Sequence, residues 1–132
     1  MPNIPSRILI VDDHEIVRVG VRNLLSGNPR WEVCGEAEDG MQACQKVLEL
    51  KPDVVILDLT MPVLNGFETA TRIRRVAPSI KIVFFSMHET PVTARTAGAD
   101  AFVAKSSAAS DLPATLELVL RRDRPPTSEA LC

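Results

Sequence analysis

The chain has 132 residues, 45% of them hydrophobic and 24% charged, with a formal net charge of −2. That length suits one domain that buries a core without disulfide or metal staples, and the charge balance excludes a nucleic-acid-coating or disordered protein. No apolar stretch reaches the ~18 residues needed to cross a bilayer, and the first residues lack a signal peptide's apolar segment, so a cytoplasmic protein without membrane contact is expected. Three cysteines, Cys34, Cys44 and Cys132, are odd in number and lack Cys-x-x-Cys spacing. They indicate neither a disulfide framework nor a zinc site, and Cys34 and Cys44 read as core thiols.

Residues 7–12 form an apolar run ending in an acid, Asp12, with Asp13 next, after which Ile16, Val17, Gly20, Val21, Leu24 and Leu25 take helical spacing. Ser26, Gly27, Asn28 and Pro29 stop that helix. Residues 31–37 read as the second strand, and Asp39-Gly40 opens a helix with Ala43, Cys44, Val47 and Leu48 on its apolar side, closed by Lys51-Pro52. Residues 54–57 are β-branched or leucine without polar alternation, the pattern of a strand covered on both faces, and Asp58 ends it. A turn with Pro62, Asn65 and Gly66 follows. Phe67, Ala70, Ile73 and Ala77 mark a third amphipathic helix, with Arg72, Arg74 and Arg75 on its solvated side.

Residues 80–86 are a fourth buried strand closing on Ser86. Thr90-Pro91 starts and Gly98 stops a short helix with few large apolar residues. Residues 100–104 are the fifth strand, followed by Lys105. Ser110 reads as the cap of a last helix with Leu112, Leu116, Val119 and Leu120 as its stripe. Strands alternating with helices predict a single α/β domain, a doubly wound (βα)5 unit with a five-stranded parallel sheet, over residues 6–122. Residues 1–5 read as an N-terminal tail and 123–132 as a C-terminal tail or a truncated linker.

In such a sheet, ligands bind at the carboxyl ends of the strands. The residues arriving there are Asp12, Asp13, Asp58, Ser86 and Lys105. Gathered carboxylates repel and favour a divalent cation, and hard oxygen ligands with room for waters suit Mg²⁺, for which Mn²⁺ can substitute. A carboxylate beside such an ion, with an ammonium and a hydroxyl opposite, has what phosphoryl transfer to an aspartate needs. His14 and His88 flank the crevice and read as surface histidines at helix starts rather than ligands.

At Ile10-Val-Asp-Asp-His14, Leu57-Asp-Leu-Thr-Met-Pro62, Asn65-Gly66, Ser86 and Ala104-Lys105-Ser106 the chain resembles the response regulator receiver domain of two-component signalling. The wording of Asp12 to Gly20 and Ser86 to Glu89 is most like the receiver half of LuxR/NarL-type transcription regulators. The resemblance implies a flavodoxin-like sheet of order 2-1-3-4-5. It makes Asp58 the phosphoacceptor, puts Asp13, Asp58 and the Thr60 carbonyl on Mg²⁺ with Asp12 reaching it through water, and has Ser86 and Lys105 hold the phosphoryl oxygens. Phe102 falls at the family's switch position, with Ser86 as its partner. The implied donor is a sensor histidine kinase or a phosphotransfer protein. A self-dimer is possible, and DNA would be met only through an output domain absent from this chain.

The resemblance also implies Mg²⁺-dependent phosphoryl acceptance with slow autodephosphorylation rather than conventional turnover. A stand-alone relay module acting by protein contact is the other reading within the family. An aspartate-nucleophile phosphohydrolase is disfavoured because Thr60 stands where a second acid would be needed. A nucleotide-binding domain is disfavoured because Asp12-Asp13-His14 replaces a glycine-rich loop.

Overall fold

The computed structural model describes residues 4–87 and 98–122. The elements are β1 (Ser6–Val11), α1 (Glu15–Leu25), β2 (Trp31–Ala37), α2 (Gly40–Leu50), β3 (Val54–Asp58), α3 (Gly66–Val76), β4 (Lys81–Ser86), β5 (Ala101–Ala104) and α4 (Ala108–Arg122). A 3₁₀ turn over Lys105–Ser107 joins β5 to α4. All strand pairs are parallel, in the order β2-β1-β3-β4-β5. The expected short helix at residues 91–97, His88 and the C-terminal tail lie outside the described residues.

Alternation along each strand divides the core in two. Leu9, Val11, Val55, Leu57, Ile82 and Phe84 face one side of the sheet, where they meet Ala43 and Val47 of α2 and Ala70 and Ile73 of α3. Ile8, Ile10, Val54, Ile56, Val83, Phe85 and Val103 face the other, against Val21 and Leu25 of α1 and Leu112, Leu116 and Val119 of α4. β3 is therefore buried at every position, which is why its residues show no polar alternation.

Local signals fix the helix starts. Asp39 accepts the Gln42 N–H at 2.9 Å, and Asn65 and Glu68 form a reciprocal capping box at the head of α3. Lys51 ends α2 in the left-handed region, at φ 50°.

Several expectations are corrected. Ile16 is exposed: with Val17, Val21, Leu24 and Leu25 turned inward, a side chain one residue earlier is rotated about 100° away from the sheet. Leu48 likewise projects outward beside buried Val47. The last helix starts at Ala108, not after Ser110, because the 3₁₀ turn leads into it and the Ala108 N–H bonds back to the Lys105 carbonyl. Cys44 packs against the α2/α3 core as expected, whereas Cys34 belongs to neither half of it; both are half-buried, and burial pushes both thiols up from their ordinary range. At Cys34 the β1–β2 register slips, with Ile8 opposite Val33 but Leu9 opposite Gly35.

Arg74 is not on a solvated face. Its guanidinium gathers the Gly98 carbonyl at 2.9 Å, the carbonyls of Pro78 and Ile80, and Asp100, whose Oδ2 also accepts the Ile82 N–H at 2.8 Å. The end of α3 is thus tied to the entry of β5. Arg74→Ala should destabilise the protein by about 1–3 kcal/mol, because the part-buried charge-assisted bonds to the Ile80 carbonyl and Asp100 are lost. Arg75→Ala should stay within about 0.5 kcal/mol of wild type. Urea unfolding of the two variants checks the contrast, and equal losses would refute the anchoring role.

Candidate functional site

The register brings the acids together. Val11 pairs with Leu57, so the residues that follow, Asp12 and Asp58, emerge side by side at the ends of adjacent strands. Both are almost fully buried, at 1% and 3% exposure. They carry on the alternation of Ile10 and Ile56, as Lys105 carries on that of Val103, so all three arrive on the α1/α4 side of the sheet. Lys105 places its Nζ 2.7 Å from Asp12 Oδ2 and 3.5 Å from Asp58 Oδ1, with the Phe85 ring centroid 5.7 Å away. Asp12 Oδ2 lacks a well-directed hydrogen bond despite the 2.7 Å approach. The distance is the more telling quantity, since an ammonium attracts a carboxylate whatever its proton directions.

Ser86 ends β4, opposite Ala104, and is buried. It belongs to the other face, in line with Phe84, and Phe102 sits opposite Phe84 and packs against the α2/α3 core. Asp12, Asp13, Asp58 and Lys105 therefore share one crevice. Ser86 and Phe102 share the sheet face behind it.

The loop after β3 is shaped by backbone contact. The Gly66 N–H donates to the Leu59 carbonyl at 2.8 Å, and a Cβ at Gly66 would lie 2.5 Å from the Asp58 carbonyl oxygen. Only glycine permits that approach. The exposed Thr60 offers its N–H to Asp58 Oδ1 at 3.4 Å.

Burial raises the Asp58 carboxyl above its ordinary range, and the Asp12 charge raises it further, while Lys105 and the Thr60 N–H pull the other way. Two buried carboxylates face one ammonium, and Asp13 adds a third, partly exposed charge. Asp12, Asp13, His14 and Asp58 each offer a ligand atom, all within 4.8 Å of one another. The excess negative charge and the oxygen-rich donor set fit a divalent cation.

Two residues matter here that the spacing of the sequence did not single out. Arg18, on the first turns of α1, donates from Nη1 to the Asp12 carbonyl at 2.7 Å and from Nε to Glu36 at 2.9 Å. Glu36 also pairs with Arg22. Because the Asp12 N–H donates to the Ala37 carbonyl, the Asp12 backbone is held from both sides. The helical pattern placed residue 18 on α1, but its carbonyl partner carries no sequence signal.

The chain belongs to the response regulator receiver domain family, whose model matches residues 8–117. It is 41% identical over 111 residues to the nitrate/nitrite response regulator protein NarL of Escherichia coli K12, covering 82% of this chain and 51% of that protein. It is 35% identical over 111 residues to the response regulator protein VraR of Staphylococcus saprophyticus, covering 82% and 53%. The chain thus spans about half the length of the curated relatives it matches. A two-component response regulator of the LuxR family from Aurantimonas superposes with a TM-score of 0.85 at 37% identity, covering 92% of this chain and 89% of that one. These likenesses make it a receiver domain of the LuxR/NarL type.

Two outcomes follow from the geometry. A carboxyl whose folded pKa is raised takes up protons on folding, so its contribution to stability falls as pH rises from the ordinary carboxylate range through the folded value. In metal-free protein, Asp58→Asn should therefore melt above wild type at neutral pH, and the gap should close on acidification. Calorimetric melts in chelator across pH would refute this if the gap were pH-independent. Arg18→Met should cost about 1–3 kcal/mol by leaving the Asp12 carbonyl without its side-chain donor and Glu36 with Arg22 alone, read by urea unfolding against Arg121→Met, which should change little.

Proposed function

We propose that this receiver takes a phosphoryl group onto Asp58 from a phosphohistidine of a sensor histidine kinase or phosphotransfer protein, and that this controls a DNA-binding output domain outside this chain. The observation that carries the reading is the Lys105 ammonium lying between Asp12 and Asp58 on one side of a buried carboxylate. An Asp58 oxygen attacks phosphorus in line, an O–P bond forms, the P–N bond to the donor imidazole breaks, and the bonding pair leaves with the imidazole.

The chain's own groups prepare that step. Burial keeps water from Asp58, and the fixed Thr60 N–H and Lys105 hold its orientation. Lys105 sits nearer Asp12 than Asp58, and the arriving phosphoryl oxygens give the ammonium a second partner within its reach. Mg²⁺, with Mn²⁺ as substitute, would be held by Asp13, Asp58 and the Thr60 carbonyl, with Asp12 through water, and would neutralise charge on the transferring oxygens. By the family resemblance Ser86, at the end of β4, would reach over the end of the sheet to complete the phosphoryl contacts, and Phe102, on the neighbouring strand, would report the change. The side chain at position 60 is a hydroxyl rather than an acid, which supports slow loss of the phosphoryl group.

The DNA-binding output rests on likeness: the chain matches about half of NarL and of VraR, and it superposes at 29% identity with a TM-score of 0.81 on the RcsB protein of Salmonella enterica bound to a promoter, covering 62% of that chain.

Acetyl phosphate with Mg²⁺ should add one phosphoryl group to wild type and none to Asp58→Asn by intact mass, and equal uptake would overturn the assignment. Asp13→Ala should weaken Mg²⁺ binding at least about tenfold in a calorimetric titration.

A further inference from the structure

His14 precedes α1 in an extended conformation, and its side chain makes no capping bond. The ring turns instead toward the acids. Its Nδ1 lies 3.0 Å from Asp12 Oδ1 and 3.1 Å from Asp13 Oδ1, while 61% of the side chain stays exposed. The His14 backbone N–H donates to the same Asp12 oxygen at 2.9 Å, which fixes the ring's root against the carboxylate. Lys105 approaches Asp12 through the other oxygen, Oδ2. The two cationic or nitrogenous groups thus take separate edges of one carboxylate.

Those separations have a second meaning. Adjacent ligand atoms on an octahedral ion with bonds of about 2.1 Å stand about 3.0 Å apart, since the separation is the bond length times √2. Nδ1 stands at that separation from each of the two carboxylate oxygens, so with either one it has the spacing of neighbouring corners around such an ion. Imidazole nitrogen suits cobalt, nickel, copper and zinc, whereas Mg²⁺ takes oxygen.

We propose that His14 is a nitrogen ligand for borderline divalent transition ions at this acidic site, standing beside the direct ligand Asp13, so that Mg²⁺ is held without the imidazole and Co²⁺, Ni²⁺ or Cu²⁺ with it. The inference rests on reading the acids as a cation site. Ligation uses the Nδ1 lone pair, with the ring proton on Nε2. The competing account is that the imidazole merely donates a hydrogen bond to the two acids. In that case His14 orients oxygens for every ion alike.

The test is metal selectivity in the whole chain. Titrations with Mg²⁺ and with Co²⁺ are compared for wild type, His14→Ala, His14→Gln and Asp13→Ala. Both His14 variants should lose at least about tenfold in Co²⁺ affinity while Mg²⁺ affinity changes less than about twofold. Equal losses for the two ions, or no loss for Co²⁺, overturn the proposal. Asp13→Ala should weaken both ions; if it weakens neither, the cation-site reading itself fails. Electron paramagnetic resonance with one equivalent of Cu²⁺ gives an independent readout. Nitrogen superhyperfine splitting should be present in wild type and His88→Ala and absent in His14→Ala, and splitting that survives His14→Ala refutes the ligand assignment.

Discussion

Two carboxylates buried at the ends of neighbouring strands are the constraint on which the rest of this structure depends. Asp12 and Asp58 are nearly inaccessible to water, and one ammonium stands against both. Burying such charges is costly unless they are paired, and the pairing here is incomplete. The raised Asp58 carboxyl expresses that imbalance. A site held this way favours whatever brings positive charge or disperses negative charge, which is why the proposed cation and phosphoryl group would belong together in one crevice.

Holding the acids in place takes much of the surrounding sequence. Leu57 and Val11 in register set the pair abreast, and the close approach of Gly66 to the Asp58 carbonyl leaves the β3 loop little freedom. On the other side, Arg18 grips the Asp12 carbonyl while Glu36 orients Arg18 from β2. The crevice is therefore braced by the edge strand and by the first helix, and neither brace touches the reacting carboxyl. Rigid backbone around an unbalanced pair lets the imbalance persist rather than relax.

How far the sequence revealed this depends on the range of each interaction. The five strands, their parallel sense and the residues at their ends were legible because apolar runs, the alternation of strands with helices and the helix start and stop signals act over a few neighbours, while the order of the strands came from the family resemblance. The site acids and Lys105 followed from topology once the strands were placed. Arg74 and Arg18 were not legible. Their partners are backbone carbonyls, at Gly98 and at Asp12, and a carbonyl has no residue identity to read. Ile16 misled for a related reason: an apolar residue beside the stripe looks like part of it until the helix's rotation against the sheet is known. The start of α4 moved because a 3₁₀ turn needs no capping side chain.

The depth of the four ligand-bearing residues separates what they can do. Asp12 and Asp58 are enclosed, so their oxygens change partners only when Lys105, an ion or a phosphoryl group moves. Asp13 and His14 lie at the rim, where solvent reaches them. An ion exchanging from solution would meet the rim first and Asp58 last. On the proposed ligation the rim would govern which ion enters, through the imidazole nitrogen it presents, while the buried pair would govern what that ion is used for. On that reading choice of metal and choice of chemistry fall to different residues within 4.8 Å of one another, and a substitution at residue 14 would alter the first without touching the second.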